Sequence, residues 1–201
     1  MSALVTEHFV LQSAASTTVS EAGARASMYI FSLSSSLVAM GFAAQVPDVF
    51  RPLMATVLPL IFVLGVFTVV RLTDTTLENN QNLRAIARIR RYYRTLTPEA
   101  SAFFTAWGAD EDETAEALAM LGTKRRAAPV LFTMASMVAT INALVGGVGV
   151  ALLTAAIGAP TTVGFPILLG ALTTLGLIGL AIGYQLRRYS AAAHANGQGD
   201  G

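Results

Sequence analysis

No cysteine occurs anywhere in the 201 residues. Disulfides, thiolate nucleophiles and zinc–sulfur sites are therefore excluded. Histidine is nearly missing as well: His8 and His194 stand alone near the two ends, with no metal-ligand spacing around them. Lysine occurs once, at Lys124, against twelve arginines, and with the abundant alanine and glycine this points to a high-GC bacterial genome. Charge itself is scarce, 12% of residues, where a soluble domain carries roughly 25%. No P-loop, His-Glu-x-x-His or Gly-x-Ser-x-Gly occurs, so the expectation is a non-enzymatic protein with no cofactor and no metal. A mean hydropathy of +0.59 excludes a disordered or nucleic-acid-binding chain.

What the chain has instead is apolar length. Residues 127–186 form sixty consecutive positions without Asp, Glu, Lys, Arg or His. One crossing of a hydrocarbon layer about 30 Å thick takes about 20 residues of helix, so this run accommodates two, with a turn at Gly158-Ala159-Pro160-Thr161-Thr162. Two shorter uncharged windows, 26–47 and 52–70, supply two more. The fold class expected is all-α: four transmembrane helices in a bundle with a small cytoplasmic helical module. The divisions read as an amphipathic N-terminal segment over 1–25, a first hairpin over 26–70, the module over 71–128, a second hairpin over 129–186, and a disordered tail over 187–201. The first 25 residues show no basic start and no cleavage site, so the first span is expected to remain as a signal-anchor.

Charge asymmetry orients the spans. Arg25, Arg71, Arg84, Arg88, Arg90, Arg91, Arg94, Lys124, Arg125, Arg126, Arg187 and Arg188 fall on one side and only Arg51 on the other. The positive-inside rule makes the rich side cytoplasmic, with both termini there, in a bacterial plasma membrane.

Helix association in lipid depends on small residues that let backbones approach. The third span carries a ladder at four-residue steps: Ala135, Ala139, Ala143, Gly147, Ala151 and Ala155. The fourth carries Gly176, Gly179 and Gly183, and the first carries Ser32 and Ser36. These are read as seams, either within the bundle or between copies in a homo-oligomer. The second span is bulkier and faces lipid over more of its surface, and Pro59 predicts a kink in it. No ionisable side chain lies inside a span, and Asn142, the one strongly polar side chain at depth, reads as an interhelical hydrogen bond.

In the module, Leu83, Ile86, Ile89, Tyr93 and Leu96 form one apolar stripe on a helix continuing from the second span to about Thr95. Arg84, Arg88, Arg91 and Arg94 form a basic stripe beside it. Two further helices follow, one opened by Thr97-Pro98 and carrying Phe103, Phe104 and Trp107, the other opened by the Asp110–Glu113 acidic cluster. The basic stripe is either positive-inside charge resting on the lipid bilayer's anionic headgroups or an anion site for a nucleotide or an acidic protein partner. The acidic cluster is a candidate partner for it. Nucleic acid is not expected as a partner.

Glu21-Ala22-Gly23-Ala24-Arg25-Ala26-Ser27, running straight into the first span, resembles the charged x-Lys-Ala-Ser entry of small membrane effectors of the Pycsar anti-phage type, with Arg25 in place of Lys. The layout over about the first 135 residues is also similar: a hairpin, then a stretch with Pro98, Phe103 and Phe104, then more membrane. The resemblance implies a response to a cyclic pyrimidine nucleotide that impairs the membrane. It carries over no ligand-binding residue, and it does not reach the fourth span. The composition fits an actinobacterial membrane family of another kind as well. Three functions remain open on the sequence: a signal-responsive effector or adaptor, a small channel or transporter subunit, and a scaffold of a membrane complex.

Overall fold

A computed structural model describes residues 2–96, 99, 116, 133–157 and 164–197 of the protein. The described residues are all-helical, with four helices: α1 Ser2–Ala43, α2 Pro47–Leu96, α3 Met134–Ala156 and α4 Gly164–Gly197. Each is long and apolar enough to cross a membrane, which makes this a multi-pass membrane protein. At 1.5 Å per residue even α3, the shortest at 23 residues, is about 35 Å long.

α1 is a single helix of 42 residues. It passes through Arg25 without a break in the helix. No proline interrupts it, and helix once nucleated propagates at little cost. It ends in a tight corner, with Ala44 N–H donating to Met40 O at 2.9 Å and Val46 N–H to Ala43 O at 2.9 Å. Pro47 then opens α2 at the position where a missing N–H costs nothing, and Asp48 lies in that first turn, where the helix dipole favours a carboxylate. α2 runs 50 residues and contains Pro52 and Pro59, continuing past the apolar window through the arginine stripe, as the sequence pattern predicts.

α4 reaches Gly197, although residues 187–201 read as a disordered tail. Ala191, Ala192 and Ala193 have the highest helix propensity of any residue, and nothing between Arg187 and Asn196 breaks a helix. The turn expected at 158–162, the helices expected from Thr97 and Asp110, Trp107, and the Asp110–Glu113 cluster all lie outside the described residues.

The chain divides into two compact units. One comprises residues 1–22 and 74–129, and the other 23–73 and 130–201. In the first unit, Ile86, Ala87 and Ile89 are buried, Leu83 and Tyr93 half-buried and Leu96 exposed, so the expected apolar stripe is the inward face over its middle. Thr18 of α1 donates to Asn79 Oδ1 of α2 at 3.3 Å. The N-terminal apolar set divides: Leu4 and Leu11 are half-buried, whereas Val5 and Phe9 are exposed.

In the second unit α3 and α4 pack antiparallel. Ser136 meets Gln185, Ala143 meets Thr174, and Gly147 meets Gly170, the numbers falling along α4 as they rise along α3. Most of the predicted α3 ladder forms this contact: Ala135, Ala139, Ala143 and Gly147 are buried, and Ala151 lies against Gly170. Ala155 is exposed. On α2, Ile61 is buried while Leu60, Val63 and Leu64 are exposed, in keeping with a span that shows lipid much of its surface.

A Cβ placed at Gly176, Gly179 or Gly183 meets nothing within 4 Å among the described residues, which leaves the reading of a seam between copies as it stood. The close approaches are elsewhere. A Cβ at Gly147 would collide with Thr174 Oγ1 and lie 2.5 Å from the Gly170 carbonyl oxygen, and one at Gly170 would lie 2.7 Å from the Gly147 carbonyl oxygen. Two backbones in contact require glycine on both sides.

Ser32 and Ser36 also take another role. Their hydroxyls donate to Met28 O and Ser32 O, both at 2.8 Å. Thr56, Thr68, Thr140 and Thr173 likewise donate to the carbonyl four residues back. A hydroxyl in hydrocarbon must find an acceptor, and the helix's own backbone supplies it here.

Candidate functional site

Two groups of polar side chains stand out, one in each unit. The first lies at the level of Asn142 on α3, which is 5% exposed. Tyr29 Oη of α1 donates to its Oδ1 at 3.2 Å, and its Nδ2 donates to the Phe62 carbonyl of α2 at 3.2 Å. Gly65, one turn along α2, leaves the room for it: a Cβ there would collide with the Asn142 amide. One side chain thus ties α3 to α1 and α2, with both ends of its amide satisfied. That is the interhelical role its isolation in an apolar span predicts.

Gln185 is the polar residue that sequence reading missed. It is fully buried on α4, accepting from Ser136 Oγ at 3.0 Å, while its Nε2 has no hydrogen-bond acceptor among the described residues. Thr133 caps α3 beside it, accepting from Ser136 N–H at 3.2 Å. The signal was present: Gln185 is, with Asn142, the other strongly polar side chain in the charge-free run 127–186.

The second group is the arginine stripe on the far end of α2. Arg94 Nη1 and Nη2 donate to Glu116 Oε1 and Oε2, each at 2.9 Å. The paired side chains are 19% and 7% exposed. A planar guanidinium facing both oxygens of a carboxylate is the strongest common form of this interaction. The hydrogen bond to Glu116 is the main influence on the Arg94 guanidinium and raises its pKa above the ordinary value; burial pulls the other way, and the charge of Glu116 adds to the rise. Arg84 and Arg91 are half-buried and Arg88 is exposed; Arg88, Arg90 and Arg91 are all engaged in interactions of their own.

The four predicted arginines therefore share one helix, but the described acid on the stripe is Glu116, not a member of the predicted cluster. Glu116 could have been singled out as a lone acid among Ala115, Ala117 and Leu118, which is where a buried partner for an arginine would sit. Among the described residues no group of acids and histidines could hold a metal ion.

The fold and these two groups define a multi-pass helical membrane protein with a polar tie at depth and a basic helix end. Comparison with protein-family models, curated proteins and solved structures gives no match.

Proposed function

We propose that this is a non-enzymatic, signal-responsive effector or adaptor of a bacterial plasma membrane, in which the arginine stripe of α2 binds an anionic ligand or an acidic partner and the four helices form a bundle that responds. The observation that carries the reading is that one uninterrupted helix, α2, contains both an apolar membrane window and the stripe Arg84, Arg88, Arg91 and Arg94. An anion that repositions the stripe acts on the same helix that crosses the membrane. Twelve basic residues against one assign the stripe and both termini to the cytoplasm.

Orientation is tested against a background with no native thiol. His8→Cys, Ser101→Cys and Asn196→Cys resist an impermeant maleimide in intact cells, and Asp48→Cys reacts. Labelling of Ser101→Cys from outside reverses the assignment.

Function is tested by converting Arg84, Arg88 and Arg91 together to Gln. Arg25, Arg71, Lys124, Arg125, Arg126, Arg187 and Arg188 still mark the cytoplasmic side, so insertion and expression hold. The purified chain binds pyrophosphate, and the triple variant binds it about tenfold or more weakly, since charge-assisted hydrogen bonds contribute roughly 1.5–3 kcal/mol each. In cells, trigger-dependent growth arrest or depolarisation by the wild type is lost in the variant. If the variant matches the wild type in both assays, the stripe is only a collar for lipid headgroups, and the channel-subunit and scaffold readings take its place.

A further inference from the structure

α3 and α4 are not held equally along their length. Towards one end the two backbones meet at Gly147 and Gly170, Thr174 Oγ1 donates to the Ala143 carbonyl at 3.4 Å, and Leu177 lies against Gly146. Towards the other end the described tie is one hydrogen bond, from Ser136 Oγ to Gln185 Oε1 at 3.0 Å. Gln185 is 0% exposed, and its Nε2 has no acceptor among the described residues. With none of its surface open, no water-sized space adjoins the amide to supply one. A buried N–H without an acceptor costs more than a single hydrogen bond contributes.

Between these two ends lie Gly176, Gly179 and Gly183. A Cβ at any of them meets nothing among the described residues, so close approach within the chain does not account for them. Glycine weakens a helix interior relative to alanine, because it loses more backbone freedom on becoming helical and packs nothing in return. Three within eight residues make 176–183 the stretch of α4 that bends most readily.

We infer that the end of α4 from Gln185 onward is a hinged arm, which bends across residues 176–183 between a position docked on α3 and one swung away from it. Docked, the arm has the Ser136 bond but holds the Gln185 N–H dry. Swung away, the amide reaches polar surroundings at the edge of the span, and the Ser136 hydroxyl keeps Thr133 Oγ1, 3.0 Å from it. The two positions are thereby close in free energy, which is the condition for a partner to choose between them. Leu186, Arg187 and Ser190 on the arm are exposed, so a partner can reach it while it is docked. The inference does not depend on the anion-binding reading of α2.

The test uses the full chain in nanodiscs, with spin labels on cysteines introduced where none is native. Met137→Cys/Ser190→Cys reports on the arm, and Val148→Cys/Ile167→Cys reports on the end held by glycine contact; all four positions are exposed. Double electron–electron resonance gives a narrow distance distribution for the second pair and a two-component one for the first. Gln185→Leu keeps the bulk, removes the dry N–H and leaves Ser136 its Thr133 partner, so the longer component falls about fivefold or more. Replacing Gly176, Gly179 and Gly183 together by Ala stiffens the helix and reduces that component as well.

If both pairs give equally narrow distributions in the wild type, no arm moves and the inference falls. If the longer component is present but unchanged in Gln185→Leu, the amide does not set the balance; if it is unchanged in the triple Ala variant, the bend lies elsewhere. Either result overturns the inference. The sign is also decisive, because a Gln185 that serves only as a tie would give more of the longer component on its removal, not less. Should Gln185→Leu lose cooperative melting, Gln185→Met, unbranched and of similar length, decides by the same sign.

Discussion

Gly147→Leu separates α3 from α4, whereas Gly176→Leu leaves the protein as stable as before. At Gly147 even the first carbon of a side chain collides with Thr174 Oγ1 and approaches the Gly170 carbonyl. A carbonyl in a helix cannot swing away as the end of a side chain can, so the helices themselves must part. Overpacking typically costs about 1–3 kcal/mol, and with backbone on the far side the expected cost lies at the top of that range or above. Gly176 faces open space, and a leucine there adds apolar surface to a helix that already shows much of its surface outward. Leu60→Ala, at a position 64% exposed, is a second control with a small effect. The readout is the melting temperature of the detergent-solubilised protein. Equal losses from Gly147→Leu and Gly176→Leu would show that α4 presents a different face to α3.

Gly65→Ala produces the second large effect, and Asn142→Ala partly reverses it. A methyl group at position 65 occupies the space of the Asn142 amide. It drives that side chain away from Tyr29 and from the Phe62 carbonyl, so one substitution adds a clash and removes two hydrogen bonds. Interhelical hydrogen bonds in membranes average about 0.6 kcal/mol and reach about 1.7; with the overpacking term, a loss of roughly 2–4 kcal/mol is expected. Asn142→Ala alone loses the hydrogen bonds but creates no clash. In the double variant the methyl group enters the space the amide has vacated, so Gly65→Ala/Asn142→Ala melts higher than Gly65→Ala. Contacting residues show this kind of non-additivity. Strict additivity of the two losses would mean that Gly65 and Asn142 do not face each other.

These two contacts mark how far the sequence could be read. The spans were legible because they depend on a property of long windows, the absence of charge over about 20 residues, and such windows have few alternative explanations. The α3 ladder was legible for a related reason. Four-residue spacing of alanine and glycine places small side chains on one face, and that face is buried from Ala135 to Gly147. Which helix lies opposite is a different matter, because it depends on residues far apart in the chain. Gly170, the partner of Gly147, has no companion at four-residue spacing, and Gly65 is the one glycine of its apolar window. Gly176, Gly179 and Gly183 had the more regular spacing and yet meet nothing among the described residues. Spacing reports that a face is smooth, and a smooth face can meet lipid as well as helix. Tyr29 and Glu116 were overlooked for the same reason, since their importance lies in Asn142 and Arg94, 113 and 22 residues away along the chain.

The bonding of the serine and threonine hydroxyls to their own helices bears on how the protein is made. A helix whose hydroxyls are already satisfied, as those of Ser32, Ser36, Thr56 and Thr68 are, can leave the translocation channel for lipid before it has found a neighbour. Asn142 cannot do so at low cost, because its amide has no acceptor or donor within α3. Its two partners, Tyr29 and the Phe62 carbonyl, belong to helices synthesised earlier, and the Ser136 hydroxyl that serves Gln185 likewise precedes it. Each amide that needs help from another helix therefore reaches the membrane after the residue that provides it. In chain order, the partners of both amides are therefore made before the amides themselves.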